Sequence, residues 1–147
     1  MKILFLDIDG VLLPLPSDGH FEAELKPSAE AVNNLNLLVQ ITGAHIVVTS
    51  HWRNGRTIKQ LETLLENWGV KWGVFGKTKD SIGDEDRGYD IQYWLANSRE
   101  VIDAFVVIDD DRTDLELFAD KMVSPKPDKG LQFHDVSEAV RILEKSV

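Results

Sequence analysis

Asp7 and Asp9 close the run Lys2-Ile-Leu-Phe-Leu-Asp-Ile-Asp-Gly10, in which four apolar residues lead straight into two carboxylates and a glycine. Two carboxylates held this close repel each other unless a proton or a cation sits between them. Further along the chain, Asp109, Asp110 and Asp111 follow the apolar run Phe105 to Ile108, with Asp114 one helical turn after Asp110. Thr49 and Ser50 follow a third apolar run, Ile46 to Val48. The acid pair Asp7 and Asp9 therefore suggests a hard metal ion with an attacking or proton-shuttling oxygen. Taken singly each is weak: Asp109 to Asp111 could be a solvated turn and cap, and Thr49-Ser50 an ordinary strand end.

The elements that must position these groups give them joint meaning. Five apolar runs alternate with helical patterns, which predicts an α/β, Rossmann-like, three-layer fold with a mostly parallel sheet between helices. The expected strands are Ile3 to Leu6, His45 to Thr49, Lys71 to Phe75, Ala104 to Ile108 and a short one near Met122-Val123. Pro27 reads as a first-turn proline of a helix carrying Val32, Leu35 and Val39 and ending at Gly43. A second helix carries Ile58, Leu61, Leu65 and Trp68 before Gly69, and a third carries Ile91, Trp94, Leu95 and Ser98. A fourth follows Asp114, and the last carries Val136, Ala139, Val140 and Leu143 with Asp135 or Ser137 as N-cap. Leu13 to Glu24 reads as a turn-rich excursion and Gly76 to Gly88 as a long loop.

In such a sheet the carboxyl ends of the strands share one edge, where ligands bind. That edge would gather Asp7, Asp9, Asp109, Asp110, Thr49 and Ser50. An unneutralised cluster of this kind is strongly destabilising, so a bound cation is expected, and an all-oxygen donor set suits Mg2+.

Composition sets the outer bounds. The 147 residues are expected to form one domain, 1–147, and the 43% hydrophobic content is ordinary for a globular protein. The absence of cysteine excludes disulfides, thiolate catalysis and zinc–thiolate sites. The histidines His20, His45, His51 and His134 lack short metal-ligand spacing. No apolar stretch reaches the roughly 20 residues of a membrane span, and the start is too short for a secretory signal, so a cytoplasmic location is expected. A net charge of −9 argues against broad affinity for nucleic acid, though not against a nucleic-acid end as substrate.

The motifs resemble those of the haloacid dehalogenase (HAD) superfamily of phosphohydrolases over nearly the whole chain. Asp7, Asp9 and Gly10 match its first motif, Thr49 its second, and Asp109-Asp110 with trailing Asp114 its fourth. The third motif, normally a lysine at a helix start, is the departure: Arg87 is the best-placed base, with Lys77 and Lys79 as alternatives. Val48-Thr-Ser-His-Trp-Arg53 and Arg87-Gly-x-x-Ile-x-x-Trp-Leu95 further resemble a small capless branch that includes domains attached to RNA-repair proteins.

The resemblance implies a Mg2+-dependent phosphatase. Asp7 would attack phosphorus and form an aspartyl-phosphate, and Asp9 would act as general acid and then general base. The metal would be bound by Asp7, the Asp9 backbone carbonyl and Asp110, with Asp109 or Asp114 in support. Thr49, Ser50 and Arg87 would hold the phosphate. Trp52 and Arg53 are candidate substrate contacts, set against a structural reading of Trp packed on the sheet and Arg in an ion pair. The implied site lacks a cap, which suits a small phosphate ester, a nucleic-acid end or a phosphoprotein, or closure by a partner protein. Two other classes are a catalytically silent metal- or phosphate-binding domain and a receiver-type phospho-acceptor. The second fits poorly, because the middle strand ends in Thr-Ser rather than an acceptor aspartate.

Overall fold

A computed structural model describes residues 1–16, 25–81 and 86–145. Most of the excursion expected over Leu13 to Glu24 and part of the loop before Arg87 lie outside the described residues.

The alternation of strand and helix patterns resolves into β1 (Lys2–Leu6), α1 (Ala29–Thr42), β2 (His45–Val48), α2 (Ile58–Asn67), β3 (Val74–Lys77), α3 (Arg87–Asn97), β4 (Ala104–Ile108), β5 (Met122–Val123) and α4 (Phe133–Glu144). Short 3-10 turns cover His51–Arg53 and Glu116–Lys121. The five strands form one parallel sheet in the order β3-β2-β1-β4-β5. The chain winds outward from β1 through β2 to β3, then returns to place β4 on the other side of β1. The β1/β4 boundary is therefore the topological switch point, where strand-end loops diverge and leave a crevice.

Both faces of the sheet are covered, so its strands are apolar throughout rather than alternating. Leu4, Leu6, Ile46, Val48, Val106 and Ile108 pack with residues of α1, α2 and α4 on one face. Ile3, Phe5, Val47 and Val107 pack with Ile91 of α3 and with Leu115 and Phe118 on the other.

Local chemistry sets the helix ends. Ser28 caps α1 through its side chain, so Pro27 stands before the cap and not in the first turn. Gly43 ends α1 at φ 71°, a left-handed conformation that glycine takes without steric cost. Thr57 and Gln60 form a capping box on α2. On α4 the reciprocal pair is Gln132 and Asp135, so Asp135 supports the cap from inside the helix and neither it nor Ser137 is the N-cap. The helix expected after Asp114 is only the 3-10 turn Glu116–Lys121.

The third strand begins three residues and ends two residues later than the expected Lys71 to Phe75. Asn36 of α1 accepts from the Lys71 amide and from the Trp72 indole, which ties that stretch to a helix instead of the sheet. The strand then runs through Gly76, where Trp94 packs 3.4 Å from the position a Cβ would take. Gly76 and Lys77 thus belong to β3, and α3 already begins at Arg87, which shortens the loop expected between them.

Candidate active site

At β1, β2 and β4 the ladder extends one residue beyond the strand, and that residue is a site residue. The Asp7 amide donates to the Ile108 carbonyl at 3.0 Å, the Thr49 amide to Leu6 at 2.9 Å, and the Asp109 amide to Val123 at 3.2 Å. Backbone pairing thus fixes three side chains at the sheet's carboxyl edge before any side-chain contact forms. Beyond Asp7 the chain turns sharply, with the amides of Val11, Leu12 and Leu13 all directed at the Ile8 carbonyl. Gly10 sits in that turn at φ 80°, and a Cβ there would lie 2.4 Å from Asp110 Oδ2. Only glycine lets the β1 turn come so close to the β4 acid.

The resulting pocket, about 340 Å³, is lined by Asp7, Asp9, Leu15, Thr49, Ser50, His51, Arg87, Asp110, Asp111, Thr113 and Asp114. The expected acids and hydroxyls therefore do converge. They divide into two groups. Carboxylate oxygens of Asp7, Asp109 and Asp110 come within 4.8 Å of one another. Asp9 stands apart from that cluster: its Oδ1 accepts from the Trp52 indole Nε1 at 3.0 Å, and its Oδ2 faces His51 Nε2 at 3.5 Å.

The electrostatics of the cluster follow from its burial. Burial, then the charge of Asp109, holds the Asp7 carboxyl well above the ordinary carboxylate range. Burial pushes Asp109 up to about 6, opposed by the Asp111 amide and by Arg87. Asp110 is raised mainly by burial as well. Asp111, at the rim, is lowered by its hydrogen bonds to Thr113. Three acids that resist full ionisation together form a site short of positive charge. A hard divalent cation fits it on two counts: every donor is oxygen, and the acids come from two strand ends held together by a glycine-tight turn.

Arg87, the first residue of α3, lines the pocket. It pairs with Asp109, donates to the Thr113 carbonyl at 2.6 Å and lies 3.7 Å from Asp111. Gly88 permits this: a Cβ there would meet the Asp114 carbonyl at 2.2 Å. Asp114 takes φ 66° and reaches the pocket rim, outside the three-acid cluster. The other two bases go elsewhere. Lys77 donates to the Arg53 and Arg56 carbonyls and to Asp80. Lys79 lies over the rings of Tyr89 and Tyr93, at 4.4 and 4.7 Å.

Arg53 is fully buried and so has no surface to offer a substrate. Its guanidinium donates to the carbonyls of Thr49, Ser50 and Lys79 and to Asp90, which pins the second-motif loop from below. Trp52 is half-buried and directed at Asp9. Sequence reasoning missed the Trp52–Asp9 bond and the placement of Thr113. Asp111 was within reach as the third member of its acidic run, but nothing in the sequence pointed to Thr113.

A parallel α/β sheet with paired acids at its switch point, a hydroxyl on the neighbouring strand and a base at a helix start defines the HAD class. A solved structure described as a HAD superfamily (subfamily III A) hydrolase from Legionella pneumophila shares this fold. Its TM-score is 0.50 at 15% identity, covering 98% of this chain and 84% of that one, a likeness of fold alone. Residues 3–136 match the family described as the HAD domain in Swiss Army Knife RNA repair proteins, and the chain belongs to that family. No curated protein matches it.

Proposed function

We propose that this domain is a phosphatase that hydrolyses a phosphate monoester through an aspartyl-phosphate on Asp7. The observation that carries the reading is the division of the two first-motif acids. Asp7 lies in the three-carboxylate cluster, whereas Asp9 opens on the same pocket with its own hydrogen-bond partner. This division supports one acid as nucleophile and the other as proton donor and acceptor.

In the first half-reaction Asp7 attacks phosphorus, the bond to the leaving oxygen breaks, and Asp9 gives that oxygen its proton. In the second, Asp9 takes a proton from water as the water oxygen attacks phosphorus, which restores the Asp7 carboxylate and releases phosphate. Thr49, Ser50 and Arg87 hold the phosphate oxygens, the guanidinium offering a planar pair of donors. Mg2+ held by Asp7, Asp109 and Asp110 would offset repulsion between the nucleophile and the phosphate dianion.

For the substrate we favour a phosphorylated nucleic-acid end. The family's description as a domain of RNA repair proteins supports this, and so does a pocket lined, among the described residues, by strand-end loops and the start of α3. Nucleotides and phosphoproteins remain the comparison substrates, and a partner protein could complete the rim.

The test is phosphate release from p-nitrophenyl phosphate, nucleotides and 5′- or 3′-phosphorylated oligonucleotides, with Mg2+ or EDTA. Turnover is expected to need both Mg2+ and Asp7. Full activity in Asp7→Asn would remove the proposed nucleophile, and a folded, Mg2+-binding protein with no turnover would favour a silent binding domain.

A further inference from the structure

We propose that Trp52 is a positioning residue for the general acid: its indole N–H fixes the Asp9 carboxyl and assigns the transferable proton to Oδ2. The proposal rests on the phosphatase reading above and adds to it a residue that reaches the chemistry through Asp9.

The ring is held on several sides. Arg56 lies over it with its guanidinium carbon 5.2 Å from the centroid, and donates to the Trp52 carbonyl at 3.0 Å. Trp68 meets it edge-on, at 5.6 Å between centroids and 88° between planes. At the backbone, Ser50 Oγ accepts from the Trp52 amide at 3.3 Å, within the turn that Arg53 anchors. An indole so confined has one polar atom, and that atom is aimed at Asp9 Oδ1 at 3.0 Å.

Indole N–H donates and cannot accept. Oδ1 must therefore present a lone pair to Trp52 in both protonation states of Asp9. In the acid form the carbonyl oxygen is the better acceptor, so the bond favours Oδ1 as the carbonyl and Oδ2 as the hydroxyl; His51 approaches Oδ2 at 3.5 Å, beyond good hydrogen-bond range. Without the indole, the carboxyl can rotate and carry its proton on either oxygen, so fewer encounters place the proton at the leaving group.

A group that serves only the acid matters in proportion to how badly the leaving group needs a proton. An alkyl phosphate departs as an unstable alkoxide unless protonated, whereas p-nitrophenyl phosphate departs as a stable anion. The experiment compares kcat/KM on these two esters for the Mg2+-loaded wild type and Trp52→Phe. Because it is a ratio within one preparation, partial misfolding cancels. The alkyl ester is expected to slow by about tenfold or more in Trp52→Phe, and p-nitrophenyl phosphate by less than about threefold. Should Trp52→Phe fail to fold, replacing Trp52 with β-(3-benzothienyl)alanine removes the donor and keeps the ring shape, with the same ratio expected.

An unchanged ratio, with both esters slowed equally or neither slowed, overturns the positioning role while leaving the phosphatase intact. A folded wild type that turns over neither these esters nor a phosphorylated oligonucleotide overturns the phosphatase reading, and this inference with it.

Discussion

Replacing Gly10 with alanine would load two separate costs onto the turn that follows Asp9. The first is conformational: at φ 80° an alanine sits in the left-handed region, which costs about 1–2 kcal/mol. The second is steric. The new Cβ would stand 2.4 Å from Asp110 Oδ2 and 2.5 Å from its Cγ. Normal contact between such atoms needs on the order of 1 Å more, so the Asp110 carboxyl must leave the cluster it shares with Asp7 and Asp109. Gly43 separates the costs, because it takes φ 71° with nothing within 4 Å of a Cβ, at the far end of α1. Gly43→Ala should lose about 1–2 kcal/mol of stability, a fall of a few degrees in Tm for a chain of this size, with an undiminished response to Mg2+. Gly10→Ala should lose at least as much stability, and also most of its Mg2+-induced rise in Tm and about tenfold or more in phosphatase kcat/KM. Thermal unfolding with EDTA and with Mg2+, beside steady-state phosphate release, reads both effects. A Gly10→Ala protein that matches Gly43→Ala in Mg2+ response and keeps its turnover would refute the placement of Asp110 as a metal ligand.

The metal-free domain should be more stable near pH 5 than near neutrality. The folded-state pKa of Asp109 is raised from 3.8 to about 6, so the folded state binds the proton more tightly. That stabilisation is full below the unfolded pKa and is lost as pH rises through the folded one, about 3 kcal/mol at most from this group. Asp7 shifts in the same direction. Mg2+ should reverse the trend, because its ligands must be deprotonated; thermal melts at both pH values, with EDTA and with Mg2+, test the sign. Arg53→Met removes a fully buried guanidinium from Asp90 and three carbonyls, and urea unfolding should register a loss of about 3–5 kcal/mol. Arg87→Lys keeps the charge but not the two-pronged geometry, so KM for a phosphate ester should rise several-fold while Mg2+ binding, followed by calorimetry, stays near wild type.

Sequence and structure agree most closely where burial on both faces forces a continuous apolar run. β1, β2, β4 and β5 are legible in that way, and with them the residues that must follow at the carboxyl edge: Asp7, Thr49 and Asp109. β3 was not, because Lys71 and Trp72 carry strand-like composition while Asn36 on α1 takes the Lys71 amide and the Trp72 indole. A tertiary hydrogen bond between residues 35 apart leaves no periodic trace. The helix caps failed for a related reason: at Gln132 a polar side chain of weak capping preference is made effective by Asp135 reaching back to its amide. Among the site residues, Arg87 was legible as a base before a helix, but its advantage over Lys77 and Lys79 rests on Gly88 admitting the Asp114 carbonyl. Arg53 and Trp52 are adjacent in a motif of mixed aromatic and basic character, and composition alone could not divide them. The fold buries one to hold the loop and turns the other's N–H toward Asp9.

That division explains how a site with so many acids is held together. Asp7, Asp109 and Asp110 repel one another, and without a cation their proximity opposes folding. The restraint therefore has to come from groups outside the cluster. Parallel ladders fix the Asp7 and Asp109 backbones, Arg87 pairs with Asp109, and buried Arg53 ties the Thr49–Ser50 loop to α3 through Asp90. Asp9 stands outside the cluster and is hydrogen-bonded to Trp52 instead. Were it drawn in with the other three, it would become a further ligand or a further repelling charge, and no carboxyl would be left to carry a proton. In the proposed mechanism, that separation is what would let two aspartates with one residue between them take different roles.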